Sequence, residues 1–290
     1  MITDLLVQQI ESCLPYEPNR EQSELLQQLA AFVLDGRDDS LFLLRGYAGT
    51  GKTSLVGALV KALTQLQSKV VLLAPTGRAA KVFSRYARHP AYTIHRRIYR
   101  QKSYSPDMEG FLIGENLAKH TLFIVDEASM IANSVGEGAV YGSGRLLDDL
   151  VEYVYSGEHC RLILLGDTAQ LPPVGQERSP ALDAAVMGGY GLNVVELGEV
   201  ARQAAESGIL YNATRLRECM EEMPLPRPCL RVNGFPDVEA LSGEYLVERI
   251  SDSYDRVGLD ETIVVTRSNK RANIFNQGIR NQILYREEEL

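Results

Sequence analysis

Residues 40–53 read SLFLLRGYAGTGKT. The first seven form an apolar run ending on glycine, the pattern of a buried strand. From Gly46 to Thr53 the residues fit G-x-x-x-x-G-K-[ST], and a helical pattern follows from Thr53. A strand, a glycine-rich turn and a helix start, in that order, make a phosphate cradle. Glycines let backbone N–H groups curl around phosphate oxygens, and the helix N-terminus adds partial positive charge. Lys52 has the reach for the β- and γ-phosphates of a nucleotide, and the Thr53 hydroxyl suits Mg²⁺. Composition alone would produce the bare pattern in roughly one chain of this length in a hundred, and the strand–loop–helix setting makes coincidence rarer. The candidate nucleotide-binding set is therefore Gly46, Gly49, Thr50 and Gly51 in the loop, with Lys52, Thr53 and Ser54 at the helix start.

Outward from this stretch, KVVLLAP (69–75), HTLFIVDEA (120–128), CRLILLGD (160–167) and NVVELG (193–198) are further short apolar runs. Helical patterns such as 19–35 and 143–156 lie around and between them. Strands with little alternation, separated by helices, predict a parallel sheet covered on both faces, hence a doubly wound α/β fold. In such sheets ligands sit at the carboxyl ends of the strands. That edge collects polar residues here. Asp126 and Glu127 end the third run, suited to holding Mg²⁺ through water and to orienting the attacking water. An isolated acid at a strand end equally suits a helix N-cap, and it is the pairing with the phosphate loop that gives these two their chemical reading. Asp167 and Gln170 end the fourth run, as metal support and γ-phosphate sensor, or as an ordinary turn. Gln22, ahead of the loop, is a candidate adenine reader or a solvated helical residue. Arg202, at a domain boundary, is a candidate arginine finger or a surface arginine.

At 290 residues the chain has room for two domains. After Gly198 the pattern changes: a helix over 207–222, the proline-rich break MPLPRP, a strand over 261–267 and a helix over 268–283. This predicts the start of a second α/β unit. The net charge is −8, yet the segment from Arg78 to Lys102 carries +8 with no acid, leaving −16 for the rest. A local basic patch on an acidic body still attracts phosphates, since screening confines fields to about 8 Å at physiological salt. Within it Thr76, Arg78, Lys81, Arg96 and Arg97 suit phosphate contacts. Phe83, Tyr86, Tyr92, Tyr99 and Tyr104 interleave, as single-strand binding sites do, although a solvated helix face with core rings would read alike. No apolar run reaches the roughly 18 residues of a membrane span, and the acidic start MITDLLVQQIESC is no secretory signal. The four cysteines, Cys13, Cys160, Cys219 and Cys229, have no metal-ligand spacing and read as reduced thiols. The expectation is a cytoplasmic protein with no membrane partner.

In order, GYAGTGKTS, APTGRAAKVFS, TIHRRIY, VDEASM, GDTAQLPPVG and EVARQAAESGI resemble the motif series of superfamily-one helicases, in the RecD-like and Dda-type branch of the B subclass. The resemblance runs over residues 19–290. It implies a RecA-like first motor domain over 1–197, with a small wedge or pin inserted at about 90–118, and part of a second RecA-like domain over 198–290. It implies ATP and Mg²⁺ as cofactors and 5′→3′ movement on single-stranded DNA or a tailed duplex, within a repair or recombination setting. By position Gln22 is then the adenine reader, and Lys52, Thr53, Asp126 and Glu127 are the phosphate, metal and acidic residues. Gln170 and Arg202 are γ-phosphate sensors, and Thr76 and His95 lie in DNA-facing segments. Two departures stand out: Ala201 precedes Arg202 where relatives carry an aromatic, and the later motifs of the second motor domain are not found, so the resemblance implies a truncated fragment. The competing reading is an ATP-dependent nucleic-acid-binding module that switches without translocating.

Overall fold

A computed structural model describes residues 2–38, 40–101, 110–135, 140–199 and 207–285. The chain divides into two compact units, Met1–Arg202 and Gln203–Leu290.

In the first unit, α1 (Ile2–Ser12) and α2 (Arg20–Leu34) precede β1 (Ser40–Gly46) and α3 (Lys52–Gln65). Then come β2 (Lys69–Ala74), α4 (Gly77–Ala87), β3 (Ala91–Thr93) and α5 (Ile94–Ile98). A hairpin of β4 (Tyr99–Gln101) and β5 (Phe111–Ile113) leads to β6 (Thr121–Val125), α6 (Leu146–Tyr155), β7 (Arg161–Gly166) and β8 (Gly191–Leu197). Six strands form one parallel sheet in the order β3-β2-β6-β7-β1-β8. The central strands are buried along almost their whole length, as their unbroken apolar runs require. One face packs Phe42, Leu44 and Ile163 against α1, α2 and α3. The other packs Leu41, Leu43, Phe123 and Leu164 against α5, α6 and the segment around Leu182. The fold is the RecA-like P-loop sheet flanked by helices.

Two details differ from the sequence expectation. Residues 91–98 are not part of an insertion: β3 joins the main sheet beside β2, and Ile94 and Ile98 of α5 are buried in its core. After α5 the chain forms the antiparallel β4–β5 pair, with residues 102–109, Tyr104 among them, outside the described residues. Its base is tied to the body by residues 140–142: the Phe111 N–H donates to the Val140 carbonyl and the Gly142 N–H to the Phe111 carbonyl, both at 2.8 Å.

The second unit holds α7 (Gly208–Glu221), α8 (Leu246–Val257) and α9 (Asn269–Gln282), and no strand among its described residues. The strand expected over 261–267 does not form. Thr262 has extended backbone, but no neighbouring strand among the described residues takes its hydrogen bonds, and Val265 is 85% exposed. A β-branched run supplies propensity, whereas a strand needs a partner ladder.

Candidate nucleotide site and basic face

Because the sheet is parallel, the ends of β1, β2, β3, β6, β7 and β8 emerge at one edge. The turn after β1 is the phosphate loop. Gly51 is the N-cap of α3, with left-handed backbone (φ 88°) and no side-chain cap, so the first amides of α3 are open to an anion. Only glycine fits here: a Cβ would lie 2.8 Å from Gln22 Nε2 and 3.1 Å from the Tyr16 hydroxyl. Gly49 is also left-handed (φ 84°). Thr50 is buried, its hydroxyl donating to the Tyr47 carbonyl at 2.9 Å. Lys52 Nζ donates to the carbonyls of Gly46 and, at 2.8 Å, Tyr47. Its ammonium thus rests across the mouth of the loop. The Thr53 hydroxyl donates to Asp126 Oδ2 at 3.4 Å.

Asp126 is 8% exposed at the end of β6. Burial is the main cause that raises its carboxyl from 3.8 to about 6, with the neighbouring Glu127 adding to the rise while the Glu127 amide, Lys52 and Thr53 oppose it. Glu127 has left-handed backbone (φ 55°) and donates its N–H to Asp126 Oδ1 at 2.9 Å. Strain of this kind in a non-glycine residue concentrates at functional sites. Across the edge Gln170 Oε1 accepts from the Ser129 hydroxyl at 3.2 Å. This joins the turn after β7 to the one after β6. Asp167 is buried and accepts the Ala169 N–H at 2.8 Å. That bond shapes the turn that carries Gln170.

Gln22 is 3% exposed and works from two sides. Its Oε1 accepts the Asn19 N–H at 3.1 Å and its own N–H reaches Asn19 Oδ1 at 2.9 Å, a capping box for α2. Its Nε2 donates to the Thr50 carbonyl at 3.0 Å. One amide hydrogen and one oxygen lone pair remain for a ligand. Three contributors had no signal in the motif reading. Tyr16 lies beside Gly51, 38% exposed and hydrogen-bonded to Ser54, with burial raising its phenol above the ordinary value. Ser129 braces Gln170. Glu21 accepts the N–H groups of Gly198 and Glu199, at 3.0 and 2.8 Å, where β8 leaves the sheet. Arg202 lies outside the described residues.

The basic run is split by the fold. Thr76 caps α4, accepting the Ala79 N–H at 3.2 Å. Arg78, Lys81 and Arg96 are exposed, Arg96 lying over the Tyr92 ring at 5.5 Å. Arg97 is half-buried, its Nε without a hydrogen-bond partner among the described residues. Arg100 caps α5 through the carbonyls of Arg96, Arg97 and Tyr99. His95 packs at 5.0 Å against Tyr141 and at 5.7 Å against Tyr99, and its burial lowers its pKa. Two rings expected to stack on bases are core residues: Phe83 is fully buried, and Tyr99 is 5% exposed with its hydroxyl on Asp149 at 2.6 Å. Tyr86 and Tyr92 remain exposed.

A parallel sheet with a phosphate loop, an acidic pair and a bridging glutamine at one edge defines a P-loop nucleotide-binding protein. The AAA domain family matches residues 17–222, and the chain belongs to it. It is 33% identical over 196 residues to the ATP-dependent RecD2 DNA helicase of Deinococcus radiodurans, covering 67% of this chain and 23% of that protein. It is 27% identical over 252 residues to the ATP-dependent DNA helicase dda of Enterobacteria phage T4, covering 85% of this chain and 53% of that one. The crystal structure of the Pif1 helicase from Candida albicans shares the fold, with a TM-score of 0.50 and 18% identity over 92% of this chain and 55% of that one. The chain therefore spans about a quarter to a half of these curated relatives. No helix among the described residues is long and apolar enough to cross a membrane.

Proposed function

We propose that the chain is the ATP-hydrolysing part of a 5′→3′ DNA helicase that moves along single-stranded DNA. The carrying observation is the placement of Thr53 and Asp126, 3.4 Å apart, below a phosphate loop at the same sheet edge as the exposed cations of α4 and α5. The relatives named as ATP-dependent DNA helicases support the same reading. The hard oxygen donors of Thr53 and Asp126 fit a magnesium ion, and the open amides at Gly51 fit a phosphate chain.

Bound ATP and Mg²⁺ supply the phosphoanhydride and the charge that screens it. Lys52 releases the loop carbonyls and turns to the phosphates. Glu127 holds the attacking water, its carboxylate placed by the strained turn. Gln170, oriented by Ser129, reads the γ-phosphate, and Arg202 is the proposed finger. The remaining Gln22 donor and lone pair meet the adenine edge, and Tyr16 offers a ring beside it. Thr76, His95 and Arg97 shape the DNA face, while Arg78, Lys81 and Arg96 carry its charge. Residues 198–290 are proposed as belonging to a second RecA-like motor domain, since the T4 match extends over more of the chain than the first unit spans. The test is the ATPase rate with and without single-stranded DNA, beside strand separation on duplexes with 5′ or 3′ tails. Stimulation of the ATPase by DNA is expected, with little or no strand separation by these 290 residues alone. An ATPase indifferent to DNA would remove the motor reading, and ATP-dependent DNA binding without movement along the strand would favour a switching module.

A further inference from the structure

At the opposite edge of the sheet, two loops enter β6 and β7 side by side. The His120 N–H donates to the Glu158 carbonyl at 2.8 Å, and the Glu158 N–H to the Ala118 carbonyl at 3.1 Å. His120 and His159 both have left-handed backbone, with φ of 50° and 52°. That conformation is unfavourable for a non-glycine residue, and it is adopted here by both histidines of one pair. Their rings stack at 4.7 Å, 12° from parallel. One nitrogen of each ring and one Glu158 carboxylate oxygen all lie within 4.8 Å of one another. His159 Nδ1 sits 2.5 Å from Asp38 Oδ1.

We propose that His120, His159 and Glu158 form a binding site for a zinc-class divalent metal ion, with Asp38 orienting His159. Two imidazoles and one carboxylate are the donors borderline ions such as Zn²⁺ select, and an oxygen-seeking ion such as Mg²⁺ avoids. A hydrogen bond from Nδ1 to a carboxylate is the usual support for a metal-binding histidine, because it fixes the tautomer and leaves Nε2 for the ion. Tetrahedral ligands at about 2.0–2.1 Å lie about 3.4 Å apart. The present spacing closes to that by rotation of exposed side chains, with the backbone already held by the two hydrogen bonds. Glu158 also pairs with Lys119. Both partners of that pair are exposed, so solvent screens it and it yields to a metal. The ion would staple the entries of β6 and β7, whose far ends carry Asp126 and the Gln170 turn. The site stands independently of the motor reading and predicts stabilisation without a role in hydrolysis.

The test is calorimetric titration of the tag-free chain with Zn²⁺, in excess Mg²⁺ to occupy oxygen-donor sites, paired with thermal melts. Wild type should bind one Zn²⁺ at micromolar affinity and melt higher with it. His120→Asn/His159→Asn, chosen because asparagine tolerates left-handed backbone, should lose at least 100-fold in affinity and all of the zinc-dependent melting shift. Asp38→Asn should weaken binding about tenfold. Retained stoichiometry and affinity in the double variant, or no binding by wild type at 100-fold molar excess, would overturn the proposal.

Discussion

The Gln22 side-chain amide donates to the Thr50 carbonyl at 3.0 Å while its oxygen accepts the Asn19 N–H at 3.1 Å. One buried side chain thus joins the start of α2 to the phosphate loop. Gln22→Ala leaves a buried carbonyl and a helix cap unsatisfied, at about 1–3 kcal/mol. The expected outcome is a lower melting temperature together with weakened nucleotide affinity. If affinity falls with the melting temperature unchanged, Gln22 is a ligand-binding residue alone and does not brace the loop.

Lys52 and Glu127 should separate binding from chemistry. Lys52→Ala removes the ammonium resting on the Gly46 and Tyr47 carbonyls and is expected to abolish hydrolysis and weaken ATP binding. Glu127→Gln keeps the size and the strained turn but not the carboxylate, so ATP should stay bound and turnover fall at least 100-fold. Fluorescent-nucleotide titration beside phosphate release measures both, and wild-type turnover in either variant would contradict the assigned roles.

Asp126 makes a prediction about stability. A carboxyl raised from 3.8 to about 6 by burial holds its proton longer folded than unfolded. The stability it contributes is fully present below pH 3.8 and is lost as pH rises through about 6. Asp126→Asn removes that loss. Without nucleotide the variant should be more stable at pH 7 by roughly 3 kcal/mol at most, and flatter than wild type between these pH values, while hydrolysis disappears. Denaturant unfolding at pH 4 and pH 7 measures the difference. Equal pH dependence in both proteins would show that the buried carboxylate carries no such penalty.

The sheet and the phosphate edge were legible because their signals are local and strong. SLFLLRG, TLFIV and RLILLG are continuous apolar runs, and the loop between Gly46 and Thr53 has a fixed pattern. What escaped depends on neighbours. The three residues of β3 form a strand only because β2 lies beside them, while the longer β-branched run near Val265 has no such neighbour. Phe83 and Tyr99 could not be told from base-stacking rings by spacing among arginines. Ala80, Phe83 and Ala87 share the buried side of α4, and Tyr99 is fixed by Asp149, fifty residues away. Glu21 meets Gly198 only in three dimensions.

The Tyr99–Asp149 contact anchors the hairpin base. Asp149 is buried and also accepts the Ser143 N–H at 3.0 Å and its hydroxyl at 2.6 Å. Tyr99→Phe deletes one hydrogen bond to a carboxylate that keeps two others, and should cost about 1.5–3 kcal/mol. Asp149→Ala strands the Tyr99 hydroxyl and the Ser143 donors together and should cost more. Melting temperatures rank the two, and a Tyr99→Phe variant as stable as wild type would show the bond to be expendable.

The basic face yields the last prediction. Arg78 and Arg96 are exposed on α4 and α5, whereas Arg97 is half-buried with an unpartnered Nε, so reversing Arg97 would mix a folding defect with a binding one. The clean variant is Arg78→Glu/Arg96→Glu. Binding to a single strand releases counterions in proportion to the phosphates neutralised, and each contact contributes about 0.7 to the slope of log affinity against log salt. Losing two contacts should flatten that slope by about 1.4 and weaken binding most at low salt. Among the described residues, the rings of Tyr86 and Tyr92 are exposed and open to base stacking on this face, and stacking is insensitive to salt. Tyr86→Ala should therefore lower affinity by about 1–3 kcal/mol while leaving the slope alone. Titrations of labelled single-stranded DNA at four salt concentrations separate the two contributions. A slope unchanged by the double reversal would place the DNA elsewhere on the molecule and leave these cations as a solvated helix face.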